Sequence, residues 1–254
     1  MKRVGVKIDR LNNDFFILGT NAYYKFNEQS GQLIDYKNNN NSNVLVNIQK
    51  NQPGLITNTT SYRFTGNSYI EIPNSSDFVF TDGQKDIPFS IEILFSLNSI
   101  PSEGFAFVNK RVYGQGISNG WQLNYRFGRI ALFLFGFNSI ISTSLSVDLQ
   151  LNKKYHLICT YNGSKKSNGI NIYLNSINSI DFRGSDVEND GNNNIVHNYS
   201  GLVDIGASVQ IGHRVTNFLN FNGKMQILNI AKDKEYNQKE VKSLFRNGNV
   251  KYLL

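Results

Sequence analysis

A nucleophilic serine is the first chemistry that the sequence suggests, because residues 116–120 read Gly-Ile-Ser-Asn-Gly. The G-x-S-x-G pattern presents a catalytic serine only where a strand precedes it and a helix follows it. Here Trp121, Leu123 and Tyr125 alternate with polar residues directly after the pattern, which indicates a strand. The pattern therefore predicts a glycine-rich turn, and it disfavours a serine hydrolase.

Paired carboxyl groups would be needed for glycoside cleavage, with both facing one site from neighbouring positions. Glu71 and Glu92 each stand alone in a predicted strand, and the sequence contains no Glu-x-Asp-x-x-Glu cluster. We expect each of them to be solvated or to pair with Lys or Arg. The sequence therefore predicts a protein that is not an enzyme.

Soft metal ligands are few and far apart. His156, His197 and His213 show none of the close spacing of a zinc site, and His156 is instead expected to form a hydrogen bond at the start of a strand. Cys159 is the single cysteine, and it alternates with apolar residues in a predicted strand. We expect a small buried residue there and not a reactive thiol.

Calcium is the one cofactor that the sequence leaves open. Oxygen-bearing side chains occupy alternate positions of one predicted loop, at Asp186, Glu188, Asp190 and Asn192. Gly191 could make the sharp turn of a calcium loop, but His197 stands where such a loop has its bidentate Glu. A calcium site and a polar loop between strands both remain possible interpretations.

Sugar binding needs an aromatic face for the ring and amide groups for the hydroxyls. The candidate residues are Trp121, Tyr113, Tyr199, Asn192 and Asn194. Trp121 also shares a strand face with Leu123 and Tyr125, which favours burial in the core. Ligand contact and core packing are both kept as interpretations of this residue.

The elements that must position these residues are short strands. The chain has 254 residues, is rich in Tyr and Phe, and carries Asn and Gly between alternating apolar segments, a composition typical of an all-β domain with one core. No apolar run approaches the ~20 residues that cross a bilayer, and no secretory signal is predicted. The formal net charge of +7 comes from scattered Lys and Arg, so neither nucleic acid nor a membrane is an expected partner.

Several segments together indicate a known fold. Residues 155–175 have the pattern of a hairpin (YHLICTYNGSKKSNGINIYLN), and residues 209–248 that of a strand, a Phe-x-Gly turn, a strand and a short helix. With residues 22–41, 61–73 and 88–97, this order resembles the laminin-G-like, concanavalin A-like lectin and glucanase family. The resemblance implies an all-β, two-sheet antiparallel jelly-roll sandwich with a short C-terminal helix over residues 21–254, preceded by a strand or docking arm over residues 1–20.

The C-terminal helix has its own local signature. Asn237 and Glu240 have the spacing of a capping box. Val241, Leu244 and Phe245 then fall on one helical face that can pack on the sandwich, and Asn247 with Gly248 predicts the stop.

One strand favours assembly with another molecule or element. Within residues 129–141, Leu132 and Leu134 point to one side, whereas Phe133, Phe135 and Phe137 point to the other. A sandwich strand with one wet face would alternate with polar residues instead. We expect a loop, a helix or a partner protein to cover the second face.

The function predicted from these features is a non-enzymatic binding and structural module. With the family resemblance and no export signal, we expect a bacteriophage virion component, such as a head-decoration or fibre-associated protein, with surface-glycan adhesion. Its expected partners are other virion or surface proteins, a second copy of the chain, and carbohydrate. The alternative is a bacterial carbohydrate-binding lectin at the cell surface, and a glycoside-active enzyme is the least favoured of the three.

Overall fold

The computed structural model describes residues 6–9, 14–17, 19–114, 117–137, 139–176, 179–181, 185–187, 199–213 and 219–252. The strands within these residues are β1 (Val6–Asp9), β2 (Asp14–Ile17), β3 (Ala22–Tyr24), β4 (Val44–Val46), β5 (Gln49–Pro53), β6 (Thr60–Thr65), β7 (Tyr69–Ile72), β8 (Phe89–Leu97), β9 (Phe105–Gly114), β10 (Ile117–Arg126), β11 (Arg129–Gly136), β12 (Ser139–Ser146), β13 (Lys154–Tyr161), β14 (Ile170–Ser176), β15 (Ser179–Asp181), β16 (Ser185–Val187), β17 (Val209–Ile211) and β18 (Asn222–Lys232). Short 3₁₀ turns span Ser76–Phe78 and Ser167–Gly169, and helix α1 spans Gln238–Tyr252.

Two eight-stranded antiparallel sheets form the sandwich among the described residues. Sheet I has the strand order β16-β12-β11-β10-β9-β17-β7-β4, and sheet II has the order β15-β14-β13-β8-β18-β6-β5, with β3 beside β18. The predicted two-sheet antiparallel jelly roll with a short C-terminal helix is thus confirmed. Strands β1 and β2 pair with each other as a separate hairpin, and the role of residues 1–20 as a docking arm stays a prediction.

The core lies between the two sheets, because each central strand turns its apolar positions inward. Phe95 of sheet II meets Phe107 of sheet I edge to face, with ring centroids 4.7 Å apart. Phe221 packs on Phe105 at 5.4 Å. Such pairs add about 0.5–1.5 kcal/mol beyond the burial of their area. Cys159 is fully buried in this core, and burial raises the pKa of its thiol, as expected of an inert residue.

A tight hairpin joins β10 to β11 and sets which side chains face outward. Phe127 and Gly128 both have positive φ, 51° and 73°, as a two-residue turn matched to the strand twist requires. The turn pairs Arg126 with Arg129, and the register then pairs Leu123 with Leu132. These two leucines point into the core, so the residues next to them, Gln122 and Asn124 on β10 and Ala131 and Phe133 on β11, point outward.

Helix α1 begins with the predicted capping box. The side-chain Oδ1 of Asn237 accepts hydrogen bonds from the backbone N–H groups of Lys239 at 2.9 Å and Glu240 at 3.1 Å. The Oε2 of Glu240 accepts in return from the backbone N–H of Asn237 at 2.8 Å. Both partners of the motif therefore satisfy helix N–H groups that would otherwise lack an acceptor.

The apolar face of helix α1 packs on the outer face of sheet II. Val241, Leu244 and Phe245 are buried against Ile158 of β13 and Tyr236. The predicted stop at residues 247–248 is wrong, because the helix continues to Tyr252. A glycine inside a helix lowers helix stability by only about 1 kcal/mol relative to alanine, and continued helical hydrogen bonding can offset this loss. No helix among the described residues combines the length and apolar character of a membrane span.

A buried polar network lies beneath this helix. Glu92 of β8 is only 2% exposed, and its Oε1 lies 2.7 Å from Nε2 of His156. Its Oε2 accepts from the side-chain amide of Asn229 at 2.9 Å, and that amide also lies 3.2 Å from the hydroxyl of Tyr236. The expectation of a solvated Glu92, or one paired with Lys or Arg, is wrong because helix α1 covers this strand face. The hydrogen bond expected of His156 is present.

Replacing Glu92 by alanine is expected to lower the free energy of unfolding by roughly 3 kcal/mol, because it leaves buried donors without an acceptor. Urea denaturation followed by Trp121 fluorescence measures the change. The control Glu103→Ala removes an exposed carboxylate and should shift the same free energy by less than about 0.5 kcal/mol. Equal losses of unfolding free energy in both variants would show that the buried network adds nothing to stability.

Candidate ligand-binding groove

The residues first suspected of catalysis do not converge. Ser118 lies in β10, which continues as a strand to Arg126, so the helix that a nucleophile elbow needs does not follow it. Glu71 is on β7 of sheet I, whereas Glu92 is on β8 of sheet II. Their carboxyl groups therefore belong to different sheets and form no catalytic pair.

Two of the aromatic residues predicted to contact sugar, Trp121 and Tyr199, are described, and neither is on an open surface. Trp121 is 2% exposed, its indole N–H donates to the backbone oxygen of Phe78 at 3.3 Å, and its ring packs beside Phe80. Of its two interpretations, this burial supports core packing. Tyr199 packs at the edge of the core, and burial, with a smaller effect of the Asp86 charge, raises its pKa. Tyr113 lies in β9, and its side chain is outside the described residues.

The predicted calcium loop lies mostly beyond what the structure describes. Asp186 is in β16, where only the backbone is described, and Glu188, Asp190, Asn192 and Asn194 are outside the described residues. Among the residues that are described, no three His, Cys, Asp or Glu side chains are close enough to hold a metal ion. Calcium binding therefore stays a prediction, as does glycan contact at Asn192 and Asn194.

A groove on the outer face of sheet I brings together side chains of a different kind. It crosses β9, β10, β11 and β12 and has a volume of about 200 Å³. Its walls are formed by Arg111, Gln122, Asn124, Arg126, Phe133, Phe135 and Ile140. The groove thus combines amides, guanidinium groups and aromatic rings, and none of these lining residues is acidic.

Strand alternation explains how the groove arises. Because Leu123 points into the core, its neighbours Gln122 and Asn124 must point out of the sandwich. The register places Gln122 between Phe133 of β11 and Asn109 of β9. The apolar second face predicted for β11 is therefore a wall of the groove, and helix α1, one of the elements that could have covered it, packs on the opposite sheet.

The cationic side chains of the groove are held by neighbouring groups. The Arg111 guanidinium carbon lies 3.6 Å from the centroid of the Phe135 ring, and its Nη1 donates to Oε1 of Gln122 at 3.0 Å. Phe133 stacks beside Phe135, with ring centroids 5.9 Å apart. Arg126 donates from Nε to the backbone oxygen of Glu103 at 3.1 Å. These contacts restrict the side chains before any ligand arrives, which lowers the entropic cost of binding.

Several buried polar atoms on this face make no hydrogen bond among the described residues, as do Nδ1 of His156 and Oδ1 of Asn229 on sheet II. Oδ1 of Asn109, Oδ1 of Asn124, Oε1 of Gln210 and both ring nitrogens of His213 make no hydrogen bond within the described part of the chain. Asn124 is 4% exposed and His213 6%. Buried polar groups in native proteins are nearly always paired, and each unpaired one costs about 1–3 kcal/mol. This face therefore has hydrogen-bonding capacity that a ligand can use.

The sequence contains a signal for this groove. Residues 121–126 read Trp-Gln-Leu-Asn-Tyr-Arg, and the strand assignment made Trp121, Leu123 and Tyr125 one face. The other face is then two amides followed by a guanidinium, an unusual set for a strand that is not at a sheet edge. The alternating positions thus marked the outer face as a candidate site.

Comparison with known proteins gives relatives in structure alone. No family model matches the chain, and no curated protein is significantly similar to it in sequence. The binding domain of botulinum neurotoxin serotype D is similar over 91% of this chain and 51% of its own length, with a TM-score of 0.61 and 15% identity. The binding domain of Paraclostridial mosquitocidal protein 1 is similar over 89% of this chain and 52% of its own length, with a TM-score of 0.62 and 16% identity.

A third similar structure is of botulinum neurotoxin type C, which is described as depending on interaction with two ganglioside molecules to enter cells. It matches 90% of this chain and 51% of its own, with a TM-score of 0.58 and 16% identity. This chain therefore spans about half the length of the structures that it resembles. At such low identity the likeness shows a shared β-sandwich fold, and it does not establish the laminin-G-like, concanavalin A-like family.

His213 gives the outer face of sheet I a pH-dependent stability. Burial lowers the pKa of His213 to about 4, compared with about 6.5 for an unfolded histidine. The unfolded chain thus takes up the proton first as the pH falls. The free energy of unfolding should decrease between about pH 6.5 and about pH 4, by at most about 3 kcal/mol, and the contribution of His213 should be constant below about pH 4.

The variant His213→Phe keeps a ring to stack on Tyr69, whose centroid lies 4.0 Å from that of His213. We expect urea denaturation at a series of pH values to show the wild type losing stability relative to this variant only within that pH window. Parallel pH profiles for the two proteins would contradict a buried, neutral His213.

Proposed function

We propose that this chain is a non-enzymatic recognition module that binds carbohydrate in the groove of sheet I. The observation that carries the proposal is the unpaired, buried amide oxygen of Asn124 in the wall of that groove. A sugar hydroxyl can donate to this oxygen and restore the hydrogen bond that burial denies it.

The groove offers the other chemistry that sugars need. Gln122 and Asn124 place amide groups along the centre of the groove, and Phe133 and Phe135 supply apolar ring surface beside them. Amides both donate to and accept from hydroxyl groups, and aromatic rings pack against the C–H faces of sugars. The site holds its side chains on four strands, so recognition requires no loop to reorganise.

The structural comparisons support the class of function and not the ligand. The similar structures are binding domains of toxins, and one of those toxins is described as interacting with gangliosides, which are sugar-bearing lipids. Receptor recognition without catalysis is therefore the function that we carry over to this chain. The groove residues themselves, and not those relatives, support the choice of carbohydrate.

The place of this module in a larger particle stays a prediction. A phage virion component and a bacterial cell-surface lectin would both use a sandwich that displays a binding face. Phe137, which follows β11, is 60% exposed, and it is the residue that we would test first for contact with a neighbouring subunit. Membership of the laminin-G-like, concanavalin A-like family is likewise part of this proposal.

The substitution Asn124→Leu tests the proposed site. Leucine has a similar shape but no amide. We expect glycan affinity to fall by about tenfold or more, because one hydrogen bond to the ligand is lost and the sugar hydroxyl meets an apolar group instead. The free energy of unfolding should stay the same or rise, because an unpaired buried oxygen is removed. A glycan array probed with labelled protein, followed by calorimetry on the best ligand, measures affinity, and urea denaturation measures stability.

The matched control is Asn171→Leu, at a half-buried strand position of β14 in sheet II. We expect this variant to bind as the wild type does. A wild-type protein that binds no glycan on the array would overturn the proposed function. Equal glycan affinity of the wild type and Asn124→Leu would show that the glycan does not bind in this groove.

A further inference from the structure

We infer that Arg63 and Lys224, on the outer face of sheet II, form a binding site for a tetrahedral oxyanion, that is, for a phosphate or sulfate group. The groove described above is on the other sheet. The site therefore adds a second ligand, and it does not depend on the proposed function. The inference comes from the positions at which strand pairing places positive side chains.

Strand pairing brings three cationic residues into one row across sheet II. Lys224 of β18 is directly opposite Arg63 of β6, and on its other side it is opposite Ser96 of β8. Ser96 is in turn opposite Lys154 of β13, and Gln49 of β5 ends the row beside Arg63. These residues are far apart along the chain, so only the strand registers reveal that their charges are neighbours.

The side chains of this row point away from the core. Phe64, Tyr155 and Met225 lie next to members of the row along their strands, and all three belong to the core. Because successive side chains of a strand alternate between its two faces, the members of the row lie on the outer face of the sheet. Arg63 and Lys224 are both half-buried there, so an anion can approach them from solvent.

The positive charges of the row repel one another. Burial, and then the positive charges of Arg63 and Lys154, lower the pKa of Lys224 below its ordinary value. Among the described residues, neither Arg63 nor Lys224 forms an ion pair. Like charges directly opposite each other on neighbouring strands are destabilising. An anion held by Arg63 and Lys224 together would offset this repulsion.

The same two residues have hydrogen-bonding capacity that the protein itself does not use. The Nε of Arg63 is buried and makes no hydrogen bond within the described part of the chain. The Nζ of Lys224 donates to the backbone oxygen of Pro53 at 2.9 Å, which positions the ammonium group and leaves its other N–H groups for a ligand. Buried polar groups of native proteins are nearly always paired. The unpaired Nε therefore favours a bound anion over a row of cations that water alone surrounds.

The donors suit a tetrahedral oxyanion better than a carboxylate. A guanidinium presents two parallel N–H groups to two oxygens of an anion. The ammonium group of Lys224 comes from the neighbouring strand and needs a further oxygen. Phosphate and sulfate groups supply that oxygen, whereas both oxygens of a carboxylate are already taken by the guanidinium.

Titration of inorganic phosphate into the isotope-labelled chain at neutral pH, with the ionic strength held constant by sodium chloride, tests the site directly. We expect the Nε–H signal of Arg63 to shift in the nuclear magnetic resonance spectrum as this donor gains an acceptor. Sulfate should have the same effect, and acetate should shift the signal far less at equal concentration. A signal that moves no more with phosphate than with chloride would overturn the proposal.

Variants assign phosphate binding to these two residues. Arg63→Gln and Lys224→Gln should each weaken phosphate binding, measured by calorimetry, by about tenfold or more, because each removes a charge-assisted hydrogen bond. Without phosphate, both variants should melt at the temperature of the wild type or higher, since a like-charge contact is removed. Unchanged phosphate affinity in both variants would place the anion elsewhere.

Two controls separate this site from net charge and from the groove. Arg129→Gln removes an exposed positive charge from β11 of sheet I, and it should leave phosphate affinity unchanged. A loss as large as that in Lys224→Gln would show that only net charge is sensed. Asn124→Leu alters the groove of sheet I and should also bind phosphate as the wild type does, so either site can fail without the other.

Matched polymers identify what carries the oxyanion. Phosphorylated dextran and dextran sulfate are compared with the free ions and with unmodified dextran. Tighter binding of a charged dextran than of its free ion would assign the site to a polymer that bears that group, because Lys154 extends the positive row. Equal binding would assign the site to the free ion. Competition of unmodified dextran with phosphate would overturn the oxyanion assignment.

Discussion

The packing of two sheets across one apolar interface is the constraint on which the rest of this molecule depends. Strands such as β8 and β10 give one face entirely to that interface, where contacts like that of Phe95 with Phe107 leave no room for water. Polar side chains on these strands are therefore confined to the two outer faces. Whatever chemistry the sandwich performs must occur on one of those faces or in the loops at its ends.

The two outer faces accommodate their polar side chains in different ways. On sheet II the polar residues of the central strands are covered by helix α1, and Glu92 bonds to both His156 and Asn229 beneath it, whereas Nδ1 of His156 and Oδ1 of Asn229 make no hydrogen bond among the described residues. On sheet I the corresponding residues line a groove, and the oxygens of Asn109 and Asn124 find no partner in the described chain. A sheet can carry buried polar groups stably when they are paired. The two faces therefore differ in cover: a helix lies over the polar residues of sheet II, and an open groove lies over those of sheet I.

Sequence patterns predicted what depends on neighbouring residues and missed what depends on distant ones. The alternation in β10 and the capping box at Asn237 involve positions within a few residues of each other, and both are present in the structure. The burial of Glu92 depends on a helix more than 140 residues away along the chain. The groove depends on the registers of three successive strand pairs, β9–β10, β10–β11 and β11–β12. These registers bring Arg111, Gln122 and Phe135 together. The end of helix α1 was missed because Gly248 is a weak stop signal when helical hydrogen bonding continues.

The unpaired amide oxygens also have a meaning for the evolution and engineering of this scaffold. Selection for folding alone would replace Asn109 and Asn124 by apolar residues of similar size, since natural proteins retain such destabilising features mainly where activity requires them. Stabilisation of this sandwich by design would therefore include those positions. Under the proposed function, a thermostable descendant obtained in that way would keep its architecture and lose its affinity for carbohydrate.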